Sequence, residues 1–206
     1  SDMQEFIRVQ TSMRTQVNLV IDMVNSLLVL ERSLCSLTIS LTCQLYQTLI
    51  ELVQGPCPGN QRFLIGTNLC DVAVRFMHSS YPDCDVADVI ELKMLCLKLL
   101  LAMVEGVPGD VIPRRIASSL DGNKIVAELD LCYSHSGCVG EKRAAERGAD
   151  FRPSELQTSY RDLGFHFFLL VRTLAKHAPA MLDLCRRRAR SYDYYAANTG
   201  AIEIVR

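Results

Sequence analysis

An excess of charge of either sign is the first thing this 206-residue sequence lacks. Its 22 Lys and Arg nearly balance 23 Asp and Glu, leaving a formal net charge of −1. A protein held to nucleic acid by bulk positive charge is thereby disfavoured. Long apolar runs are lacking as well. The longest stretch without a charged residue, Ser33 to Ile50, carries Ser36, Thr38, Ser40, Thr42, Gln44, Gln47 and Thr48. Its leucines at 34, 37, 41, 45 and 49 recur at spacings of three and four, which predicts the apolar stripe of an amphipathic core helix rather than a membrane span. Also absent are a Gly-rich phosphate loop ending in Lys-Ser/Thr, a GxSxG turn and an HExxH pair. No residue constellation supports catalysis, and the chain is expected not to be an enzyme. No secretory signal heads the sequence. The nine cysteines are odd in number and scattered without a CxxC pair, so reduced thiols in a reducing compartment are expected.

What is present is apolar residues in helical periods. They make up 49% of the chain, enough for a sizeable core. Met3 to Gln10 reads as the end of a helix that began upstream, so the chain is expected to start inside a larger protein. Val17 to Leu30 has a clear helical period, and the leucine-stripe helix after it should stop at Gly55-Pro56. Asn60 is expected to cap a short helix opened by Gln61. Further helices are predicted over Leu69 to His78, from Asp83 to about Glu105, near 110–119 and near 123–133. The fold class is all-α, an armadillo-like stack of short helices.

Segment 134–155 has no Leu, Ile or Met and reads as a flexible linker between a helical domain, 1–133, and a helical pair, 156–206. Charge divides along similar lines. Residues 1–155 hold 14 basic and 19 acidic side chains, whereas 156–206 hold 8 and 4. A helix restarts at Pro179 and ends in Arg186, Arg187, Arg188 and Arg190, a cluster read as a solvated helix end. Ala201 to Arg206 alternates weakly, and a short strand is expected there.

Metal-ligating residue types occur in several places. Asp83-Cys84-Asp85 opens like a calcium loop, but Ala87 and Met94 stand where oxygen ligands belong, so these acids read as helix-start residues. Cys132, His135 and Cys138 are spaced by three with no evident fourth ligand, and zinc is not expected. His78, His166 and His177 read as packed or surface residues. Glu51 and Gln54, three apart on the last turn before Gly55, place two hard oxygens on one face at the negative end of a helix; that spacing alone suits a capping or solvent role better than a cation site.

The run Leu49-Ile50-Glu51-Leu52-Val53-Gln54-Gly55-Pro56-Cys57-Pro58-Gly59-Asn60-Gln61 resembles a signature of the inositol trisphosphate and ryanodine receptors, the tetrameric intracellular calcium-release channels. The uninterrupted Gln54-Gly55-Pro56-Cys57-x-x-Asn60-Gln61 carries most of the likeness. Asp2-Met3-Gln4-Glu5-Phe6-Ile7-Arg8-Val9-Gln10 is similar to the family's stretch upstream of the signature. Lys98 to Glu105, Asp162-Leu163-Gly164-Phe165-His166, Tyr194-Tyr195-Ala196 and Ile202-Glu203-Ile204-Val205-Arg206 are similar to later stretches. The inositol trisphosphate receptor branch is favoured, because segment 134–155 leaves no room for the calcium-loop insertion of ryanodine receptors and because of the Ile-Glu-Ile-Val-Arg ending.

The resemblance implies a cytosolic regulatory and coupling segment on an intracellular calcium-store membrane such as the endoplasmic reticulum. Its partners would be other domains and subunits of the same channel, with no nucleic acid. It also implies that Glu51 and Gln54 belong to a partial regulatory calcium site whose other ligands, a Glu ahead of Asp2 and oxygens from the channel's C-terminal part, lie outside this chain. Gly55, Pro56, Cys57, Asn60 and Gln61 are expected to be structural. The rival reading is a free-standing helical scaffold that binds a protein groove.

Overall fold

The computed structural model describes residues 2–9, 18–148 and 150–199. Among them are twelve helices: α1 (Asp2–Val9), α2 (Leu19–Arg32), α3 (Ile39–Val53), α4 (Pro58–Ile65), α5 (Leu69–His78), α6 (Val86–Val104), α7 (Val111–Ser119), α8 (Gly122–His135), α9 (Cys138–Glu146), α10 (Glu155–Thr173), α11 (Pro179–Arg188) and α12 (Tyr192–Asn198). The described residues contain no strand, and the all-α expectation holds for them. The strand expected over 201–206 lies outside the described residues. Among the described residues no helix is long and apolar enough to cross a membrane.

Local chemistry explains many of the helix starts. The Asn18 side chain accepts from the Ile21 N–H to open α2, and Asp85 from Ala87 to open α6. Asp121 accepts from Asn123 and Lys124 to open α8. Ser154 and Gln157 form a reciprocal capping box at α10. The acids expected as helix-start residues thus include a true cap, Asp85. Pro179 occupies the first turn of α11, where its missing N–H costs nothing.

The chain divides into two compact units, Ser1–Ser119 and Leu120–Arg206. In the first, α6 packs chiefly against α3 and α5, with smaller contacts to α4 and α7. Leu92, Cys96, Leu97, Leu99, Leu100 and Met103 of α6 are fully buried. Tyr46 of α3 meets Phe76 of α5 edge-on, with ring centroids 5.7 Å apart. Helices α3 and α6 run parallel: Cys43 lies near Asp88 and Glu91 at their starts, and Pro56 meets Gly106 beyond their ends.

Only the C-terminal end of the leucine stripe joins the face that α3 buries, with Leu49 fully buried and Leu45 half-buried. Ile39, Thr42, Cys43, Tyr46, Leu49, Leu52 and Val53 face the core, while Leu37 and Leu41 are 89% and 56% exposed. A second helical series, 39–43–46–49–53, carries the larger aromatic and β-branched residues and wins the interior.

In the second unit α8 packs on α10 and α11, and α12 packs on α10. Gly164 of α10 is where the Tyr195 hydroxyl comes to rest, closer than any Cβ would allow. The segment expected to be a linker contains structure. Helix α8 continues to His135, α9 occupies Cys138–Glu146, and the Phe151 ring lies against Gly137 and Gly140. Small residues in 134–155 therefore admit a packed aromatic ring here, and the division between compact units falls earlier, after Ser119.

Candidate functional site: a junction of helix ends

Helix α3 ends through backbone geometry that its sequence dictates. Gln54 is the C-cap, with φ −71° and ψ 144°, and its N–H donates to the Ile50 carbonyl at 2.8 Å. Gly55 follows at φ +81°, a left-handed conformation suited to glycine. The Cys57 N–H then reaches back to the Val53 carbonyl at 3.2 Å. Pro58 opens α4 with Cys57 at its N-cap position, and the Cys57 side chain is buried.

A helix end leaves carbonyls without intrahelical partners, and burying them bare is costly. Three side-chain amides meet that need. The Gln4 Nε2 donates to the Glu51 carbonyl at 2.7 Å and to the Gln54 carbonyl at 2.9 Å. The Asn60 Nδ2 donates to the Leu52 carbonyl at 2.8 Å and to the Gln4 carbonyl at 3.0 Å. The Gln61 Nε2 donates to the Ala102 carbonyl at 2.8 Å and to the Glu105 carbonyl at 2.9 Å. Asn60 and Gln61 are 1% and 0% exposed. Asn60 ties the end of α3 to α1, and Gln61 ties α4 to the end of α6.

The expectation that Asn60 caps a helix start is therefore corrected. The helix begins two residues earlier, at Pro58, and Asn60 serves as a buried donor to the ends of other elements. A proline at the first helical position outweighs the capping preference of Asn60 because its φ is already helical. Pro56 completes the junction. It lies against Gly106, the φ +66° residue that follows the α6 C-cap, and a Cβ on Gly106 would stand 2.5 Å from the proline Cγ.

Gly55, Pro56, Cys57, Asn60 and Gln61 are thus gathered at one place. Sequence reasoning missed Gln4 and Gly106, their partners from outside the signature. The signal for Gln4 was its position in the stretch similar to the family's upstream run. Gly106 was read only as a helix stop.

Glu51 and Gln54 both have exposed side chains. Gln54 has left helical geometry, so the one-face argument from i, i+3 spacing applies to Glu51 but not strictly to Gln54. One carboxylate and one amide oxygen fall short of the six to eight oxygens that calcium takes. Among the described residues no group of three or more His, Cys, Asp or Glu could hold a metal ion. The donors are of the right chemical kind, but they are a partial set.

Other candidate ligands sit elsewhere. Cys132 and Cys138 are buried, and His135 stacks on Tyr160 with centroids 4.9 Å apart. The His166 Nδ1 lies 2.9 Å from the Asp162 carbonyl. In the arginine cluster, Arg186 donates to the Tyr192 hydroxyl at 3.3 Å, Arg187 to the Asp183 carbonyl at 3.2 Å and Arg188 to Asn123 Oδ1 at 3.1 Å.

Residues 1–77 match the family described as RyR and IP3R homology associated. The match takes in α1 to α4 and nearly all of α5, and with them the whole Gln54 to Gln61 signature and Gln4. It agrees with the likeness to the ryanodine and inositol trisphosphate receptors and does not separate the two branches. Ala102, Glu105 and Gly106, which complete the junction from α6, lie beyond the matched residues.

Proposed function

We propose that this chain is a cytosolic coupling segment of a ligand-gated intracellular calcium-release channel of the inositol trisphosphate receptor kind. The match of residues 1–77 to the receptor-homology-associated family carries the reading. The further likenesses at 98–105, 162–166 and 194–206 extend it along the chain, and the short 134–155 segment favours the inositol trisphosphate branch.

The junction supplies a physical means of coupling. Gln4, Asn60 and Gln61 join α1 and α4 to the ends of α3 and α6 through amide–carbonyl bonds, of which Asn60 to Leu52 and Gln61 to Ala102 are buried. A displacement applied to α1 is passed to α6 through these bonds, and stretching the two buried ones strands the Leu52 or Ala102 carbonyl. Rigid elements joined this way move together instead of absorbing strain.

Bound calcium would supply a positive charge that draws separate oxygen-bearing elements together. On this chain the exposed Glu51 carboxylate would hold it, at the negative end of α3, and the Gln54 amide would assist. The remaining oxygens would come from outside the chain. The partners are then other domains and subunits of one channel, on the cytosolic face of a calcium-store membrane. Glu51→Ala in the intact channel tests this role. It should move calcium activation to higher calcium with inositol trisphosphate binding unchanged, and an unmoved activation curve removes Glu51 from the site.

A further inference from the structure

The second compact unit holds a cavity of about 540 Å³ between α9, α10 and α12. That volume is in the range of small-molecule sites. Glu141 and Lys142 of α9, Arg161 of α10, and Asp193, Tyr194 and Asn198 of α12 line it. Two cations and two carboxylates therefore border one space, and their formal charges sum to zero.

Only half of that charge is answered within the chain. The Arg161 Nη2 donates to the Glu141 Oε2 at 2.8 Å and to the Ser136 carbonyl at 3.4 Å, so these two charges meet each other. The Lys142 ammonium instead donates to the Tyr133 hydroxyl at 3.3 Å and lies 5.8 Å from the ring centroids of both Tyr133 and Tyr194. Two aromatic faces and a neutral hydroxyl hold it in place without cancelling its charge. Asp193, in the first turn of α12, makes no ion pair among the described residues. Lys142 and Asp193 thus border the same cavity without touching, one charge of each sign left over.

Two polar atoms add to this. The Arg161 Nε is buried and makes no hydrogen bond among the described residues, which leaves a spare donor on the side of the cations. The Asn198 Nδ2 is engaged with the Tyr194 carbonyl at 2.8 Å, so the Oδ1 is the end of that amide still able to accept.

We propose that this cavity binds a small zwitterion carrying an ammonium and a carboxylate, of the free α-amino acid class. Its carboxylate goes to Lys142 and the spare donors of Arg161, as charge-assisted hydrogen bonds. Its ammonium goes to Asp193 and the Asn198 Oδ1. The side chain occupies the remaining volume beside Tyr194. A ligand with a single charge is a poorer match: an anion meets the carboxylates of Glu141 and Asp193, and a cation meets Lys142 and Arg161.

The test needs only this chain and is independent of the channel reading. Ligand-detected NMR of the full chain with a mixture of the neutral L-α-amino acids finds the best-bound member. That member is then titrated beside its N-acetyl form, which lacks the ammonium, and its amide, which lacks the carboxylate. Each altered form should bind about tenfold more weakly, as expected for one lost charge-assisted contact. Asp193→Asn should weaken the amino acid by a similar factor and leave the N-acetyl form unchanged. Lys142→Met should weaken the amino acid and leave the amide unchanged. Lys98→Gln, on α6 in the other unit, should change nothing, and unfolding midpoints confirm that each variant is folded. Absence of binding by every member of the mixture, equal binding of the N-acetyl form, or displacement by inorganic phosphate at equal concentration would overturn the proposal.

Discussion

Pro56 rests against Gly106 so closely that the Cβ of any other residue at 106 would stand 2.5 Å from the proline Cγ. The two residues are the turns after α3 and α6, so the contact holds two parallel helix ends together. Gly55, by contrast, has φ +81° but open space where a Cβ would point. The two glycines therefore separate backbone strain from steric overlap. Gly55→Ala should cost about 1–2 kcal/mol from the left-handed backbone alone. Gly106→Ala should cost about 2–4 kcal/mol, because overpacking adds to that strain. Urea unfolding of the two variants checks the order; equal costs would mean that the Pro56 contact yields freely.

Gln61 offers a second prediction. Its amide satisfies the Ala102 and Glu105 carbonyls from a fully buried position. Gln61→Leu keeps the apolar bulk but leaves both acceptors without this donor, and it should cost about 1–3 kcal/mol, chiefly from the buried Ala102 carbonyl. Asn60→Ala should also exceed the ~1 kcal/mol typical of a lost helix cap, since Asn60 bridges two elements instead of capping one. Denaturant midpoints measure both.

Acid stability should depend on Asp71. The Arg115 guanidinium, 2.5 Å from the Asp71 Oδ2, holds the carboxyl below its ordinary value, and the Ser119 hydroxyl donates to Oδ1 at 2.9 Å. The folded state therefore favours the ionised form more than the unfolded chain does. The resulting stability is present above the ordinary carboxyl range and is lost as pH falls through the lower folded value. The pair is partly exposed, so the effect is modest. Asp71→Asn should lower stability at neutral pH and lose less on acidification than the parent, as unfolding curves at neutral and acidic pH would show. A parallel drop in both proteins would mean that the contact does not titrate with folding.

Calcium binding by the chain alone should be weak. Glu51 and Gln54 supply two side-chain ligands, three oxygens at most, too few to replace the water that calcium must shed. Calorimetric titration should show no binding at micromolar calcium. Micromolar affinity would mean that this chain holds a complete site, and Glu51 would lose its assigned role if Glu51→Ala left that affinity intact.

How far these features could be read from the sequence differs by residue. Helix existence was legible because period and punctuation agree, as at Gly55 closing α3, while the start of α6 falls later than the expected Asp83, at Val86 with Asp85 as its cap. Which stripe of α3 faces inward was not, since two helical series overlap in it and only packing against Phe76 and α6 chooses between them. The order within segment 134–155 was hidden for a related reason: the segment lacks Leu, Ile and Met, yet α9 forms in it and Phe151 packs on glycines. The signature's location was legible, but its work was not. Asn60 and Gln61 act on carbonyls of residues up to 56 positions away, and hydrogen bonds of that reach leave no trace in local spacing.

The central claim is that the junction couples helix ends within a calcium-release channel. Calcium release evoked by inositol trisphosphate from the full-length channel carrying Gln61→Leu tests it most directly, with binding of inositol trisphosphate measured in parallel. The account predicts normal binding with release reduced about tenfold. Release at the parent level with the variant folded, or a full-length protein that passes no calcium at all before substitution, would contradict it.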